Sequence, residues 1–174
     1  MQDIENLRIA GVIADSIVDG PGLRYVIFVQ GCCHKCENCH NPETHDFEGG
    51  TSVTPDRLAN IILSTKMKGV TFSGGEPFCQ AKKLAVTAEL VKRAKDVSFI
   101  TYTGYTFEEL LEMAKENKGV HDLLSVTDYL IDGRYIHEER SPLLRFRGSR
   151  NQRILDVTCY PNSIKAREVQ DENF

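Results

Sequence analysis

The sequence has no long apolar run and no strong excess of charge of one sign. The longest apolar run near its start is Tyr25 to Val29, far short of the roughly 20 residues that a transmembrane helix needs. A net charge of -4 and a pI near 5.7 argue against a generally basic, nucleic-acid-binding protein. Asp3 and Glu5 stand where a secretory signal would carry cations, so we expect a cytoplasmic protein that contacts no membrane.

Internal repeats and low-complexity segments are also absent. A chain of 174 residues that is 41% hydrophobic can bury one core, and its 26% of charged residues is close to the globular average, which excludes wholesale disorder. We predict a single domain over residues 1–157 and a polar C-terminal tail over residues 158–174.

Segments with strand and helix character alternate along the chain. Buried strands are predicted by four runs rich in β-branched and aromatic residues, at 24–30, 69–73, 97–102 and 129–131. Helices are predicted to start at Thr54 and at Thr106, with another over about 80–95, whereas residues 1–22 are interpreted as a lead-in. This order predicts an α/β fold with parallel strands and crossover helices. A full eight-stranded barrel needs about 250 residues, so a barrel here is partial.

Six cysteines are present, and four of them lie within eight residues: Cys32, Cys33, Cys36 and Cys39. Such crowding is unsuited to a disulfide framework and favours metal binding or redox chemistry. The spacing Cys32-x3-Cys36-x2-Cys39 could hold three corners of a cubic iron–sulfur cluster and leave the fourth iron open for a substrate. The alternatives are a redox dithiol at Cys36 and Cys39, or a zinc site that adds two histidines. Those histidines would come from His34, His40 and His45.

A glycine turn, Ser73 to Pro77 (SGGEP), ends the second predicted strand. Its two glycines let the backbone approach a ligand closely, and Glu76 offers a carboxylate that could accept hydrogen bonds from an ammonium group. Because the carboxyl ends of the strands in α/β folds carry the active site, the turn and the cysteine loop are expected to lie near each other.

These two motifs together resemble those of the radical S-adenosylmethionine superfamily. The segments Gly31 to Pro42 and Ser73 to Pro77 match its main motifs in order and spacing, and Asp19 to Arg24 (DGPGLR) is similar to its glycyl-radical-enzyme activase branch. Three later segments are similar to the activating proteins of anaerobic (class III) ribonucleoside-triphosphate reductases: Tyr102 to Thr106, Leu130 to Tyr135 and Arg147 to Ile154. The resemblance covers about residues 7–157.

The resemblance implies a partial (βα) barrel of the radical S-adenosylmethionine type and an oxidoreductase that activates the large subunit of that reductase. Cys32, Cys36 and Cys39 would ligate a [4Fe-4S] cluster, whose open iron would chelate S-adenosylmethionine. A reductant of the flavodoxin type would reduce the cluster. Reductive cleavage would yield methionine and a 5′-deoxyadenosyl radical, which would take a hydrogen from a glycine of the reductase and leave a glycyl radical.

The resemblance also implies contacts to the cofactor. Gly74, Gly75 and Glu76 would hold the methionine amino group. Residues that flank the last cluster ligand or close a strand would supply the other contacts: Asn38, Cys39, His40, Thr101, Thr103 and Asp132. No residue is assigned as a general acid or base, because the cofactor performs the chemistry.

Two alternatives and three other features stay open. The chain could activate another glycyl radical enzyme such as pyruvate formate-lyase, because His40 stands where those activases carry histidine. It could also be a non-catalytic zinc or iron–sulfur module, although such a module needs no amino-acid clamp at Gly74 to Glu76. Residues 134–153 carry six arginines and are interpreted either as a solvated face or as a docking surface for the reductase. Cys33 is expected to be a bystander thiol and Cys79 a small buried thiol.

Overall fold

The computed structural model describes residues 6–174, and the strands of that part of the chain form one eight-stranded sheet. In chain order they are β1 (Leu7–Ser16), β2 (Arg24–Val29), β3 (Thr51–Val53), β4 (Gly69–Gly74), β5 (Ser98–Tyr102), β6 (Tyr129–Asp132), β7 (Arg153–Asp156) and β8 (Arg167–Glu168). Their order across the sheet is β3-β1-β2-β4-β5-β6-β7-β8. The central strands β2, β4, β5 and β6 are parallel, and β1, β3, β7 and β8 extend the two edges in antiparallel pairing. The predicted α/β architecture with parallel central strands is therefore confirmed.

Four α-helices connect these strands: α1 (Pro55–Ser64), α2 (Ala81–Ala94), α3 (Phe107–Glu116) and α4 (Lys118–Val126). Two of them begin at the caps that the sequence predicts. The Thr54 side chain accepts a hydrogen bond from the backbone N–H of Arg57, and Thr106 and Glu109 form a reciprocal capping box. None of the helices in residues 6–174 is long and apolar enough to cross a bilayer.

The helices pack on one face of the sheet and leave the other face to a cavity. Because strand side chains alternate between faces, one set of strand residues packs with the helices in the larger core. That set includes Ile27, Phe72, Phe99 and Leu130, together with the helix residues Leu58, Leu84, Leu110 and Leu123. A smaller apolar cluster of Ile100, Ile131 and Ile154 lies on the opposite face.

The structure differs from the prediction at the two ends of the chain and between two helices. The interpretation of residues 1–22 as a lead-in is wrong for residues 7–16, which form β1; Asp3 and Glu5 lie outside the described residues. Helix α4 was not predicted, because Asn117 both ends α3 and caps α4, which interrupts the helical period. Part of segment 158–174 lies on the sheet, where β8 pairs with β7.

A buried arginine joins the amino ends of the central strands. Arg24 is 3% exposed, and its side chain donates to Thr71 Oγ1 at 2.7 Å and to the carbonyl oxygens of Val70 at 2.6 Å and Ser98 at 3.0 Å. Desolvation lowers the pKa of this guanidinium to about 10, so it stays charged at neutral pH. The side chain therefore satisfies acceptors on both β4 and β5.

Replacing Arg24 with alanine is expected to lower the free energy of unfolding by about 2–4 kcal/mol, because two or more buried acceptors lose their donor. Urea denaturation of the purified chain measures this change. Arg57→Ala, at an exposed position on α1, should stay within about 0.5 kcal/mol of the parent. Equal effects of the two substitutions would contradict a structural role for Arg24.

Candidate functional site

The cysteine loop and the glycine turn lie side by side at the carboxyl edge of the sheet. The loop follows β2 and the turn follows β4, and these strands are parallel neighbours. The backbone N–H of Gly75 donates to Val29 O at 2.9 Å, and that of Glu76 donates to Gly31 O at 2.8 Å. A Cβ on Gly75 would lie 2.3 Å from Gly31 O, so only glycine permits this close approach.

A cavity of about 700 Å³ opens between the loop and the turn. This volume is within the range of about 300–1,000 Å³ that is usual for small-molecule and cofactor sites. The residues of the two motifs that line it are Cys32, His34, Cys36, Cys39, His40, Asn41, Ser73, Gly74, Gly75 and Glu76. The structure therefore brings the three predicted cluster cysteines and the predicted amino-acid clamp to one cavity.

The backbone of the loop turns sharply between its cysteines. Lys35 and Asn38 have positive φ values of 48° and 52°, in the left-handed region that non-glycine residues seldom adopt. The backbone N–H of Asn41 donates to Cys39 Sγ at 3.4 Å. Such reversals let three cysteines within eight residues face the same cavity, and an N–H donor to sulfur is typical of thiolate sites.

Burial raises the pKa of the Cys32 thiol, and backbone N–H groups of His34 and Lys35 oppose that effect. Burial likewise raises the pKa of Cys36. Without a cluster, the thiols of Cys32 and Cys36 therefore hold their protons more tightly than an exposed cysteine does. Metal or cluster binding must displace those protons, so it is favoured as the pH rises.

The donor set fits a cluster with three protein ligands. Cys32, Cys36 and Cys39 line the cavity, whereas Cys33, the fourth cysteine of the loop, does not. Three soft thiolates are what a cubic iron–sulfur cluster with one open iron requires. Among residues 6–174, no three His, Cys, Asp or Glu side chains converge as a site for a single metal ion.

Glu76 is fully buried, and its carboxylate is occupied by donors from the protein itself. Oε1 accepts from the backbone N–H of Phe78 at 2.9 Å and from Thr103 Oγ1 at 3.0 Å. Oε2 accepts from the backbone N–H of Gly104 at 2.8 Å and lies 2.8 Å from His34 Nε2. Glu76 therefore connects the cysteine loop, the glycine turn and the end of β5.

Two other predicted cofactor contacts lie at the cavity. Thr103 lines it while donating to Glu76, and His40 lines it with its ring 4.6 Å from that of Tyr135. Tyr135 also lines the cavity, and sequence reasoning did not single it out. It lies in the segment Leu130 to Tyr135, whose similarity to the activating proteins was recognised in the sequence, but that similarity gave Tyr135 no role.

Three predicted contacts lie elsewhere. Asn38 is exposed and is not among the lining residues. Thr101 is buried on the helix side of β5, where its hydroxyl lies 2.9 Å from that of Thr127. Asp132 is buried in an ion pair with Arg153 Nε at 3.0 Å and accepts the backbone N–H of Phe107 at 2.8 Å. Strand alternation places Thr101 and Asp132 on the helix side of the sheet, and the ion pair holds Asp132 there.

Two histidines of the cysteine loop region line the cavity in roles that the sequence did not indicate. His34 approaches Glu76, and its side chain is 4% exposed. His45 Nε2 is buried without a hydrogen-bond partner among the described residues. Both were considered only as zinc ligands, because spacing alone does not show what a side chain across the fold will meet.

The arginine-rich segment 134–153 divides into structural and exposed residues. Arg153 bonds Asp132 and Glu108, which lowers the pKa of Glu108, and Arg147 pairs with Asp171 at 2.7 Å. The exposed arginines of the segment are Arg134, Arg140, Arg145 and Arg150. The segment joins β6 to β7 and contributes Arg145, Phe146 and Arg147 to the cavity lining.

Comparison with known proteins adds an independent observation. Residues 18–155 match the family described as "4Fe-4S single cluster domain". Over 147 residues the chain is 36% identical to the anaerobic ribonucleoside-triphosphate reductase-activating protein of Vibrio cholerae, covering 79% of this chain and 90% of that protein. It is 35% identical over 153 residues to the protein of the same name from Pasteurella multocida, covering 83% and 94%.

A pyruvate formate-lyase-activating enzyme from Clostridium pasteurianum is also similar, with 38% identity over 114 residues. That match covers 60% of this chain and 48% of the enzyme, so it extends over a smaller part of both proteins. The family match over residues 18–155 includes the cysteine loop, the glycine turn and most of the residues that line the cavity. The chain therefore belongs to the family of anaerobic ribonucleoside-triphosphate reductase-activating proteins and carries a 4Fe-4S single cluster domain.

Proposed function

We propose that this chain activates an anaerobic ribonucleoside-triphosphate reductase by generating its glycyl radical, using S-adenosylmethionine and a [4Fe-4S] cluster. The observation that carries the proposal is the meeting of three cysteines and the turn Gly74 to Glu76 on one cavity, in a chain whose relatives are named as activating proteins of that reductase. When bound and reduced, the cluster supplies the electron that cleaves the sulfonium of S-adenosylmethionine. A flavodoxin-type protein is the reductant that we propose.

The fold that we propose is the partial (βα) barrel of the radical S-adenosylmethionine type. It is supported by the parallel strands β2, β4, β5 and β6, with helices on one face and the cavity on the other. We also propose that residues 1–157 act as one domain. In segment 158–174, Asp171 pairs with Arg147, and the ring of Phe174 lies 5.6 Å from that of Phe146, so this segment supports the cavity wall.

Two groups of cavity residues have different proposed roles: one would bind the cluster, and the other would orient S-adenosylmethionine. Cys32, Cys36 and Cys39 would ligate the cluster. The backbone of Gly74 and Gly75 faces the cavity and would meet the methionine end, while Glu76 fixes that turn against Thr103 and Gly104. His40, His45 and Tyr135 are the polar side chains that would meet the rest of the cofactor. The apolar side chains of Ile13, Phe28 and Phe146 also line the cavity and would exclude water.

Anaerobic reconstitution with iron and sulfide tests the proposal. The reduced protein should give an EPR signal of a [4Fe-4S]¹⁺ cluster that changes on addition of S-adenosylmethionine, and it should form 5′-deoxyadenosine. Incubation with the anaerobic reductase should then give the EPR doublet of a glycyl radical. A colourless protein that binds one zinc ion, or a cluster that does not respond to S-adenosylmethionine, would contradict the proposal.

Activation of pyruvate formate-lyase is the second candidate function, because a named activase of that enzyme is related to the chain. The same reconstituted protein should be offered both enzymes in parallel. We expect the glycyl radical to form in the reductase. The match to this chain covers 90% and 94% of the two reductase-activating relatives, but only 48% of the pyruvate formate-lyase-activating enzyme. A radical in pyruvate formate-lyase alone would reverse the assignment.

The exposed arginines of segment 134–153 are expected to help dock the protein substrate. Arg140→Ala combined with Arg150→Ala should weaken binding to the reductase about two- to tenfold, the effect of losing one or two exposed ion pairs. Binding at several salt concentrations measures it, because exposed ion pairs are screened by salt. Formation of 5′-deoxyadenosine without the reductase should be unchanged.

The matched control removes two exposed lysines, Lys66 and Lys68, which precede β4 at the opposite end of the sheet. Their replacement with alanine removes the same charge and should leave the affinity at its original value. Equal losses for the two double variants would indicate an effect of net charge and not a docking surface.

A further inference from the structure

Two cysteines outside the proposed cluster site lie in contact with each other. Cys33 Sγ is 3.6 Å from Cys79 Sγ and 3.2 Å from the hydroxyl of Tyr105. Cys33 directly follows Cys32 in the cysteine loop, and Cys79 lies in the short 3-10 helix Pro77–Gln80 that follows the glycine turn. Neither residue is among those that line the cavity.

Both thiols are accessible to small molecules. Cys33 and Cys79 are exposed, so the prediction that Cys79 is a buried thiol is wrong. Its neighbour Phe78 is the side chain that packs into the core, and Cys79 takes the outward position in that turn. This exposure makes both residues accessible to a disulfide in solution.

The fold holds these two sulfurs close together. The backbone N–H of Cys79 donates to Glu76 O at 3.0 Å, and that of Cys32 donates to His45 O at 3.2 Å, so both segments are fixed to the site framework. The bond length of a disulfide is about 2.05 Å, so closure requires the sulfurs to approach by about 1.5 Å, which side-chain rotation and small loop shifts can supply. Cys159 is also exposed, but it lies beyond β7 and no contact joins it to this pair.

We propose that Cys33 and Cys79 form a reversible disulfide site that low-molecular-weight disulfides such as oxidised glutathione oxidise. One protein thiolate attacks the glutathione disulfide, forms a mixed disulfide and releases one glutathione thiol. The second protein thiol loses its proton, attacks the mixed disulfide and releases the second glutathione. Two protein thiols are oxidised to one disulfide, and one glutathione disulfide is reduced to two thiols.

The disulfide would connect the cysteine loop to the segment after Glu76 and leave Cys32, Cys36 and Cys39 free to hold the cluster. This site is a modification of the chain that goes beyond the proposed activity. It does not depend on that activity, because the geometry of the pair is present in the protein without a cluster. A thiol reductant would reverse the modification.

The first test treats the anaerobically reconstituted, cluster-loaded chain with oxidised glutathione and then alkylates the remaining free thiols. Of the six cysteines, three would ligate the cluster, so Cys33 and Cys79 should carry neither an alkyl group nor glutathione, whereas the exposed Cys159 should carry one or the other. Trypsin digestion without reductant should then release peptide 25–35 joined to peptide 69–82. The iron and sulfide content should be unchanged. Formation of the link with loss of the cluster would overturn the proposal, because it would mean that Cys32 was the residue oxidised.

Single variants identify the sulfurs. Peptide 25–35 carries both Cys32 and Cys33, so the link must disappear in Cys33→Ser and in Cys79→Ser, each of which should retain a mixed disulfide with glutathione. Cys159→Ser is the matched control and should keep the link. A link that persists in Cys33→Ser would overturn the proposal.

A second test separates this proposal from the one on the cluster. The triple variant Cys32→Ser, Cys36→Ser and Cys39→Ser binds no cluster and keeps only Cys33, Cys79 and Cys159. If its thermal unfolding shows that it is folded, oxidised glutathione should again join the same two peptides and leave Cys33 and Cys79 without an alkyl group or glutathione. Absence of the link in the folded triple variant would overturn the disulfide site, whatever the reconstituted chain shows about the cluster. If the triple variant does not fold, the cluster-loaded chain and its single variants decide.

Discussion

Replacing Cys36 with serine is expected to remove the iron–sulfur cluster and to lower 5′-deoxyadenosine formation by at least about 100-fold. Loss of a residue that only supports a metal ligand lowers activity by up to about 100-fold, and loss of a ligand itself should cost at least as much. Cys36 lies between Cys32 and Cys39 in the loop and lines the cavity with both. With one protein ligand missing, two thiolates remain for a cluster that needs three from this chain. Iron and sulfide analysis, with the absorbance of the reconstituted protein, measures the cluster directly.

The control for this prediction is Cys159→Ser, which removes an exposed thiol far along the chain from the loop and should retain full iron content. The unfolding midpoint of the cluster-free proteins should be similar for both variants, because Cys36 is only half-buried. Retention of a [4Fe-4S] cluster by Cys36→Ser would contradict the three-cysteine ligand set. An equal loss in Cys159→Ser would indicate general instability.

The central strands could be predicted because their signal is local. β2, β4, β5 and β6 are buried on both faces and appear in the sequence as short apolar runs, which is typical of parallel strands. β1 is different, because most of its side chains are exposed or half-buried and its pairing with β2 is interrupted by register shifts. The partners of β1 come from residues 24–29 and 51–53, so its existence depends on long-range pairing that no local pattern shows.

The place of the site was also predictable, but the detailed contacts were not. Two motifs that each follow a strand must meet if the strands are parallel neighbours, and this applies to the cysteine loop and the glycine turn. The choice between Thr101 and Thr103 depends on where β5 ends and on what each side chain meets beyond it. Thr101 is inside the strand on its helix face, whereas Thr103 lies just past it and reaches Glu76. The pairing of Asp132 with Arg153 likewise becomes visible only in the folded sheet.

Glu76→Gln is expected to weaken S-adenosylmethionine binding about tenfold or more and to destabilise the chain even without the cofactor. Glu76 accepts backbone N–H groups on both oxygens, from Phe78 on one and from Gly104 on the other. Either orientation of the glutamine amide turns its NH₂ group toward one of these donors, which leaves that buried N–H unsatisfied. An unsatisfied buried N–H costs about 1–3 kcal/mol. Each 1.4 kcal/mol by which the binding free energy of S-adenosylmethionine weakens raises its Kd about tenfold.

Two measurements on this variant separate two roles of Glu76: holding the turn in place through its hydrogen bonds, and contacting the methionine amino group directly. If the carboxylate holds the turn in place, urea denaturation of the cofactor-free chain should show a free energy of unfolding lower by about 1–3 kcal/mol, because those hydrogen bonds exist before any ligand binds. Titration of the cluster-loaded protein with S-adenosylmethionine gives the change in Kd. Glu116→Gln, at the exposed end of α3, is the matched control and should leave both quantities unchanged. Weaker cofactor binding with an unaltered free energy of unfolding would assign Glu76 a direct contact instead. Because the carboxylate already holds His34 and Gly104 in place, we expect stability and affinity to fall together.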